Sequence, residues 1–307
     1  MPTPIFVVGS SNTDMVVKTD RLPAPGETVL GGTFLMNPGG KGANQAVAAA
    51  RLGGAVTFVA RVGNDIFGQQ ALEQFEREGI RTEFVRTDPT QPSGVALIGV
   101  DGRGENSIVV APGANARLDE AQVSAALAGL DAPALVLLQL EIPLASVEAA
   151  VRWSAEKGLR VILNPAPAQP LPDELLRRVF LITPNETEAE LLTGVRVTDA
   201  PSAERAAERL RALGVPNVVI TLGAKGAYLR TDAESRLIPA PPATALDTTA
   251  AGDCFNGALV VALAEDRPLA EAVAFACKAA AISVTRLGAQ ASMPFRREVD
   301  DGPVPAA

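Results

Sequence analysis

Residues 134–163 read ALVLLQLEIPLASVEAAVRWSAEKGLRVIL. Ala134–Leu140 is a short apolar run, Ser146–Lys157 has helical spacing, and Arg160–Leu163 is a second apolar run. This order predicts two parallel strands joined by a crossover helix. Because strands buried on both faces are apolar throughout, the pattern indicates a sheet covered by helices on both sides.

The same alternation continues in both directions along the chain. The other strand candidates are Ile5–Gly9, Val56–Val62, Phe180–Thr183 and Val218–Leu222. The other helix candidates are Ala43–Leu52, Gln69–Gly79, Asp119–Gly129, Ser202–Leu213, Asp253–Ala264 and Leu269–Thr285. We therefore predict one α/β domain over residues 1–307, with a Rossmann-like parallel sheet sandwiched by helices. Residues 15–36 and 94–111 have extended patterns without a long helix, which predicts a small β-sheet built from two insertions.

The composition excludes several classes of function. The chain has no His, which excludes Ser-His-Asp hydrolysis and His-ligated zinc. A net charge of −8 and an aromatic content of 4% argue against nucleic-acid binding. Cys254 and Cys277 lie in Ala-rich surroundings, which indicates buried thiols in a reducing compartment. With no basic leader-like N-terminus and no apolar run near ~18 residues, we expect a cytoplasmic protein with no membrane partner.

Polar residues follow the predicted strands, at the edge where ligands collect in open parallel sheets. These residues are Asn12, Asp14, Glu141, Asn164, Asn185 and Glu188, and a glycine, Gly223, follows the strand candidate Val218–Leu222. For any single one of them, a turn former or a helix cap is the favoured explanation. The series as a whole predicts a line of carboxylates and amides along one edge of the sheet.

The most informative motif is DTTAAGDCFNGAL at residues 247–259. Its small residues leave the backbone bare at a helix start, where free N–H groups and the helix dipole attract an anion. Asp253 would repel that anion unless it faces an acceptor hydroxyl and takes its proton during attack on phosphorus. The alternative is that Asp253 is an ordinary first-turn acid.

Three further motifs carry candidate binding groups. Asn37–Gln45 combines three glycines with the donors Lys41 and Asn44, which suit a polyol or a phosphate, but its spacing is not that of a P-loop. Asn185 and Glu188 have the spacing of a capping box, and a hydrated Mg²⁺ site is the alternative. Thr221–Gly226 predicts either a tight turn or an exposed backbone for a nucleotide.

Taken in order, these motifs resemble the ribokinase family of sugar kinases over nearly the whole chain. The matching segments are Gly9–Asp14, Pro25–Thr28, Gly39–Asn44, Leu138–Glu141, Asn164–Ala168, Thr183–Glu188, Asp247–Asp253 and Val284–Gln290. The resemblance implies ATP-dependent phosphorylation of a sugar, with D-ribose at O5 as the acceptor. It also implies that insertions 15–36 and 94–111 form a β lid that pairs with its copy in a homodimer.

The same resemblance implies a role for individual residues. Asp253 is the base, and the amides of Ala250, Ala251 and Gly252 form the anion hole. The implied sugar contacts are Asn12, Asp14, Gly40, Lys41, Gly42, Ala43, Asn44, Glu141 and Asp253. The implied ATP contacts are Asn185, Thr221, Leu222, Gly223, Ala224, Lys225, Gly226, Gly252 and Cys277. The implied metal residues are Glu188 for Mg²⁺ through water, and Asp247, Thr249, Ser283, Arg286, Gly288 and Ser292 for K⁺.

Other functions remain compatible with these residues. A related kinase could act on deoxyribose, fructose, a ketodeoxy sugar acid or a nucleoside. A nucleoside would need apolar walls and a sugar acid would need a facing Arg, and the matching motifs supply neither. A sugar-binding protein without catalysis would lack the base or the anion hole, and the sequence carries both.

Overall fold

The computed structural model describes residues 3–130 and 133–302. The strands are β1 (Ile5–Val8), β2 (Asn12–Lys18), β3 (Thr33–Gly39), β4 (Val56–Gly63), β5 (Arg81–Asp88), β6 (Gly94–Val100), β7 (Asn106–Ala111), β8 (Leu135–Leu138), β9 (Arg160–Leu163), β10 (Leu181–Ile182), β11 (Asn217–Thr221), β12 (Ala227–Arg230) and β13 (Ser235–Ile238). The helices are α1 (Lys41–Arg51), α2 (Ile66–Arg77), α3 (Glu120–Leu127), α4 (Leu144–Glu156), α5 (Asp173–Leu176), α6 (Glu186–Thr193), α7 (Ala200–Ala212), α8 (Ala251–Ala264), α9 (Leu269–Ser283) and α10 (Arg296–Asp300).

The large sheet has the strand order β13-β12-β11-β10-β9-β8-β1-β4-β5. The strands from β11 to β5 in that order are parallel, and β12 and β13 add an antiparallel edge. In register, Val8 lies beside Leu138 and Leu138 lies beside Leu163. The carboxyl ends of these strands therefore meet at one edge, as the sequence predicted.

Helices cover both faces of this sheet. Along β1, Ile5 and Val7 pack into a buried cluster with α1, α8 and α9, whereas Phe6 and Val8 pack into a second cluster with α3, α4 and α7. The alternation follows from the two-residue period of a strand, and each buried large aliphatic side chain contributes about 1.5–3 kcal/mol. The predicted α/β sandwich is confirmed.

Strand β5 is not among the strands predicted from the sequence. Its residues read RTEFVRTD, so Phe84 and Val85 are the only apolar residues in the strand, and charged or polar residues flank them. Within the described ranges, the strand pairs only with β4, at the edge of the sheet. An edge strand is only half-buried and tolerates such residues, which makes it resemble a loop in the sequence.

A separate four-stranded sheet has the order β3-β2-β6-β7. Its strands begin at Asn12 and reach Gly39, so the sheet extends beyond the predicted first insertion, residues 15–36, at both ends. Strands β6 and β7 expose large apolar side chains on both faces of this sheet: exposed Leu97 is paired with exposed Val109 on one face, and exposed Ile108 is paired with half-buried Ile98 on the other. These side chains give the small sheet an exposed apolar surface.

Helices α1 and α8 approach each other closely on one face of the large sheet. A Cβ atom on Gly257 would lie 2.6 Å from the Ala48 side chain and 2.8 Å from the Gln45 carbonyl. Glycine at this position therefore allows the middle of α1 to lie against the second turn of α8. Across the described ranges, every helix is too short or too polar to cross a bilayer.

Candidate active site

The first turn of α8 has no side-chain cap. Its N-cap residue, Ala250, has left-handed backbone geometry with φ 57°. The Ala251 amide donates to the Thr248 carbonyl at 3.2 Å, whereas the Gly252 amide has no hydrogen-bond partner among residues 3–130 and 133–302. A Cβ on Gly252 would meet nothing within 4 Å, so this turn borders open space. The arrangement can bind an anion.

The carboxylate of Asp253 is buried directly behind this turn, with 6% of the residue exposed. Asn44 Nδ2 donates to its Oδ2 and Gln45 Nε2 donates to its Oδ1, both at 2.9 Å. Burial raises the pKa of Asp253, although Lys41 and the two amide donors act in the opposite direction. Among the described residues, Asn44 Oδ1 is buried without a donor, which leaves an acceptor for a bound hydroxyl.

The loop before α1 lies against the start of β2. Gly40, the N-cap of α1, has φ 88°, and a Cβ there would lie 2.7 Å from the Asn12 amide. Because Gly40 has no side chain to cap the helix, Glu141 takes that role. Its Oε2 accepts from the Lys41 amide at 3.0 Å and from Ser10 Oγ at 2.6 Å.

Charged side chains of both signs meet beside Asp253. Burial, and then repulsion from Glu141 and Asp253, raise the pKa of Asp14 to about 6, and Lys41 partly opposes this shift. Burial alone would lower the pKa of Lys41, but the surrounding carboxylates outweigh it and raise that pKa. One cation among several carboxylates offers many acceptors and few donors, which suits a ligand rich in hydroxyl groups.

Three other predicted sugar positions lie at the border of this cluster. Asn12 Oδ1 already accepts from Asn115 Nδ2 at 2.7 Å, so its own amide group remains as the donor. The Ala43 amide donates to the Ser10 carbonyl at 2.8 Å and its methyl group is buried. Gly42 is likewise buried, next to Ser10. Gly42 and Ala43 thus hold the start of α1 against Ser10. A direct sugar contact at these two positions stays a prediction.

The residues predicted for ATP lie at the ends of β10 and β11. Asn185 and Glu188 form a reciprocal capping box at the start of α6, and Asn185 is bridged to Thr221. Gly223–Lys225 forms an exposed single turn, with the Leu222 amide bonded to the Gly226 carbonyl at 2.8 Å. Cys277 is buried in α9. Its contact with nucleotide stays a prediction.

The predicted metal residues divide into two places. Glu188 accepts both Asn185 donors, and its pKa is raised, chiefly by burial. Asp247 accepts from the Thr249 amide at 2.9 Å and the Gly288 amide at 2.8 Å, which joins the segment before α8 to the loop after α9. Ser283 and Ser292 are buried near that loop, and Arg286 is paired with Glu298. Within the described ranges, no cluster of three or more His, Cys, Asp or Glu side chains could hold a metal ion.

Several buried amides in and beside the candidate site have no role predicted from the sequence. They are Gln45, Asn115, Gln139 and Asn256, and each has at most 1% of its surface exposed. The sequence does indicate a special position for Gln139, because it is the one polar residue in the apolar run of residues 135–140. A polar side chain in such a run requires a buried partner.

Comparison with known proteins agrees with this geometry. The model of the pfkB family carbohydrate kinases matches residues 3–296. Ribokinase from Haemophilus influenzae is 48% identical over 294 residues, covering 96% of each chain. The crystal structure of ribokinase from Thermotoga maritima has a TM-score of 0.88 at 43% identity, covering 97% of this chain and 98% of that one. The structure of Arabidopsis thaliana ribokinase complexed with ribose and ATP has a TM-score of 0.89 at 35% identity, with the same coverage. The chain therefore belongs to the pfkB family of carbohydrate kinases.

Proposed function

We propose that this chain is an ATP:D-ribose phosphotransferase, which transfers the γ-phosphate of ATP to O5 of D-ribose and yields ribose 5-phosphate. The observation that carries the proposal is the position of Asp253. Its buried carboxylate lies one residue beyond Gly252, whose amide is free among the described residues and borders open space. In-line transfer of a phosphoryl group to a hydroxyl needs a base beside an anion-binding turn, and this arrangement provides both.

The relatives support ribose as the acceptor. The Haemophilus influenzae and Thermotoga maritima proteins are ribokinases, and the Arabidopsis thaliana ribokinase structure holds ribose and ATP. The polar cluster of Asp14, Lys41 and Glu141 agrees with an uncharged polyhydroxyl ligand, whose hydroxyls donate to carboxylates.

In this proposal Asp253 orients the 5-hydroxyl and accepts its proton as the oxygen attacks phosphorus. The amides of Ala250, Ala251 and Gly252 stabilise charge on the transferring group, and the Ala251 amide must then exchange its long bond to Thr248 for one to phosphate. Since the transition state is loose, positioning contributes more than the strength of the base.

ATP would run from Asn185 across the turn at residues 221–226 toward Gly252. Glu188 fits a hydrated Mg²⁺, because this ion keeps most of its waters and needs few carboxylates. Mg²⁺ would neutralise charge on the phosphates. Asp247 and backbone carbonyls of residues 283–292 would supply the oxygen ligands that K⁺ prefers.

The small sheet would act as a lid over the sugar and pair with a second copy of the chain. Its exposed apolar side chains, including Phe34 and Val109, form a surface that a homodimer would bury. A reducing cytoplasm suits Cys254 and Cys277, which are free thiols whose pKa values burial raises to about 12.

A coupled assay of the purified protein with ribose, deoxyribose, fructose and adenosine tests the proposal. We expect the highest kcat/KM with ribose in the presence of ATP, Mg²⁺ and K⁺. A preference for deoxyribose or fructose would retain the kinase and reject the substrate. ATP consumption that no acceptor stimulates would reject the whole proposal.

A further inference from the structure

A chain of buried side-chain hydrogen bonds leads away from the carboxylate of Asp253. Gln45 Nε2 donates to Asp253 Oδ1 at 2.9 Å and to Asn164 Oδ1 at 3.0 Å. Asn164 Nδ2 in turn donates to the Thr183 carbonyl at 3.2 Å. Gln45 on α1 thus joins the base on α8 to Asn164, the residue that follows β9.

The chain of bonds returns to the first turn of α8 from the other side. Thr183 Oγ1 donates to Asn256 Oδ1 at 2.6 Å, and Asn256 Nδ2 donates to the Gly252 carbonyl at 2.8 Å. Asp253 follows Gly252 in the chain, so the bonds close a ring around the turn. The ring holds both the base and the residue whose amide borders the open space.

A second glutamine sets the orientation of Gln45. Gln139 Nε2 donates to Gln45 Oε1 at 2.6 Å, and both side chains are fully buried. Because Oε1 accepts from Gln139, Nε2 is the end that faces Asp253. Both hydrogens of Nε2 are used within the protein, which leaves none for a substrate. Asn44 differs, because its Oδ1 has no donor among the described residues.

We propose that Gln45 is a positioning residue for phosphoryl transfer, whose amide, oriented by Gln139, holds Oδ1 of Asp253 toward the acceptor hydroxyl. The inference rests on the proposed role of Asp253 as base. The bond also favours the ionised carboxylate, because a donor stabilises the charged form. The other charged groups around Asp253 are Lys41 on α1, Asp14 on β2, Glu141 after β8 and Glu188 on α6.

The variant Gln45→Met tests this role, since methionine has a similar length and cannot donate. We expect kcat to fall about tenfold to hundredfold, as for a misplaced catalytic group. The acid limb of the kcat–pH profile should move upward by about one pH unit, because the carboxylate loses a donor. The Kd of ribose, measured by calorimetry, should change less than about twofold, because Gln45 faces no ligand.

Gln122→Met is the matched control. Gln122 is also fully buried and donates to the Ala60 carbonyl at 2.7 Å and the Phe84 carbonyl at 2.9 Å, between α3 and the edge of the large sheet. Its loss should lower Tm without changing kcat or the pH profile. If Gln45→Met gives the same pattern as Gln122→Met, Gln45 is a structural residue and the inference is wrong.

A double variant keeps the test valid if Gln45→Met folds poorly. Gln45→Met with Gln139→Met also removes the donor that the single change leaves unpaired, so we expect Tm to recover in part. Activity should not recover with it. Recovery of kcat together with Tm would overturn the inference.

Activity assays of the wild type and of Asp253→Asn distinguish a failure of this inference from a failure of the proposed function. Wild-type protein without ribose phosphorylation would reject the proposed function. Active wild type together with an active Asp253→Asn variant would reject Asp253 as the base. Active wild type, inactive Asp253→Asn and an unimpaired Gln45→Met would reject the positioning role alone.

Discussion

The carboxylate of Glu141 accepts a hydrogen bond from the backbone amide of Lys41, 3.0 Å away, and so caps helix α1 from a different part of the chain. The two residues are 100 positions apart in sequence. The contact fixes the start of α1, where Lys41 and Asn44 face the predicted sugar site. One side chain thus supports the helix and also lines the cluster of charged groups.

Glu141→Ala should therefore lower both stability and sugar affinity. We expect the free energy of unfolding to fall by about 1 kcal/mol, as for loss of a helix cap. The KM for ribose should rise about tenfold, since a charged acceptor is lost. Denaturant unfolding and steady-state kinetics measure the two effects. Glu141→Gln keeps an acceptor for Lys41 and should restore stability more than affinity, whereas equal stability of Glu141→Ala and wild type would show that the cap is unimportant.

Asp253→Asn should separate binding from turnover. The amide keeps the size of the side chain and cannot take a proton, so we expect kcat to fall about 10²- to 10⁴-fold. The Kd of ribose, measured by calorimetry, should stay within about threefold of wild type, because the other predicted contacts remain. Near-normal turnover of this variant would remove Asp253 from the role of base.

The activity should decrease below about pH 6. Burial and two neighbouring carboxylates raise the pKa of Asp14 to about 6, so this group gains a proton as the pH falls through that value. The protonated form accepts fewer hydrogen bonds from hydroxyl groups, and the KM for ribose should rise. The chain has no His, which removes the usual titrating groups between pH 6 and 8.

The raised pKa of Asp14 also affects the stability of the fold, and here the effect is unfavourable as the pH rises. Between the ordinary pKa of an Asp and about 6, the folded protein binds more protons at Asp14 than the unfolded chain does. The contribution of this group to stability therefore decreases as the pH rises through that window.

The variant Asp14→Asn tests the pH dependence of KM. In this variant the inflection of KM near pH 6 should be absent, and an unchanged inflection would assign it to another group.

Asp247→Ala should weaken activation by K⁺. The carboxylate joins the Thr249 amide to the Gly288 amide, and without it the two segments of the proposed cation site are no longer held together. A KCl titration of activity at constant ionic strength should give a half-activating concentration about tenfold higher. Asp232→Ala, at an exposed surface position, serves as control. An identical KCl dependence in both variants would argue against this site.

A charge on the small sheet should disrupt the proposed dimer. Ile108 and Leu97 are exposed and lie on opposite faces of that sheet. We expect Ile108→Asp, Leu97→Asp or both to shift the mass measured by light scattering from dimer to monomer, since a buried unpaired carboxylate is costly. Leu191→Asp, at an exposed position on α6, should leave the mass unchanged. A monomeric wild type would reject the dimer directly.

Much of the fold could be predicted because its signals are local. Apolar runs such as Arg160–Leu163 and the helical period of Ser146–Lys157 depend only on neighbouring residues. The bare start of α8 was also visible, since residues 248–252 carry no large side chain. Strand β5 was missed because an edge strand with only two apolar residues, Phe84 and Val85, lacks the apolar signal of a buried strand.

The arrangement around the base depends on contacts between distant residues, which local patterns do not record. Gln45 and Asp253 are 208 positions apart and meet at 2.9 Å because α1 and α8 pack closely across Gly257. The raised pKa of Asp14 likewise depends on burial and on carboxylates from other elements. Residue types and spacing could suggest which groups carry the chemistry. Which of their atoms touch, and how their charges shift one another, follows from the packing of the whole chain.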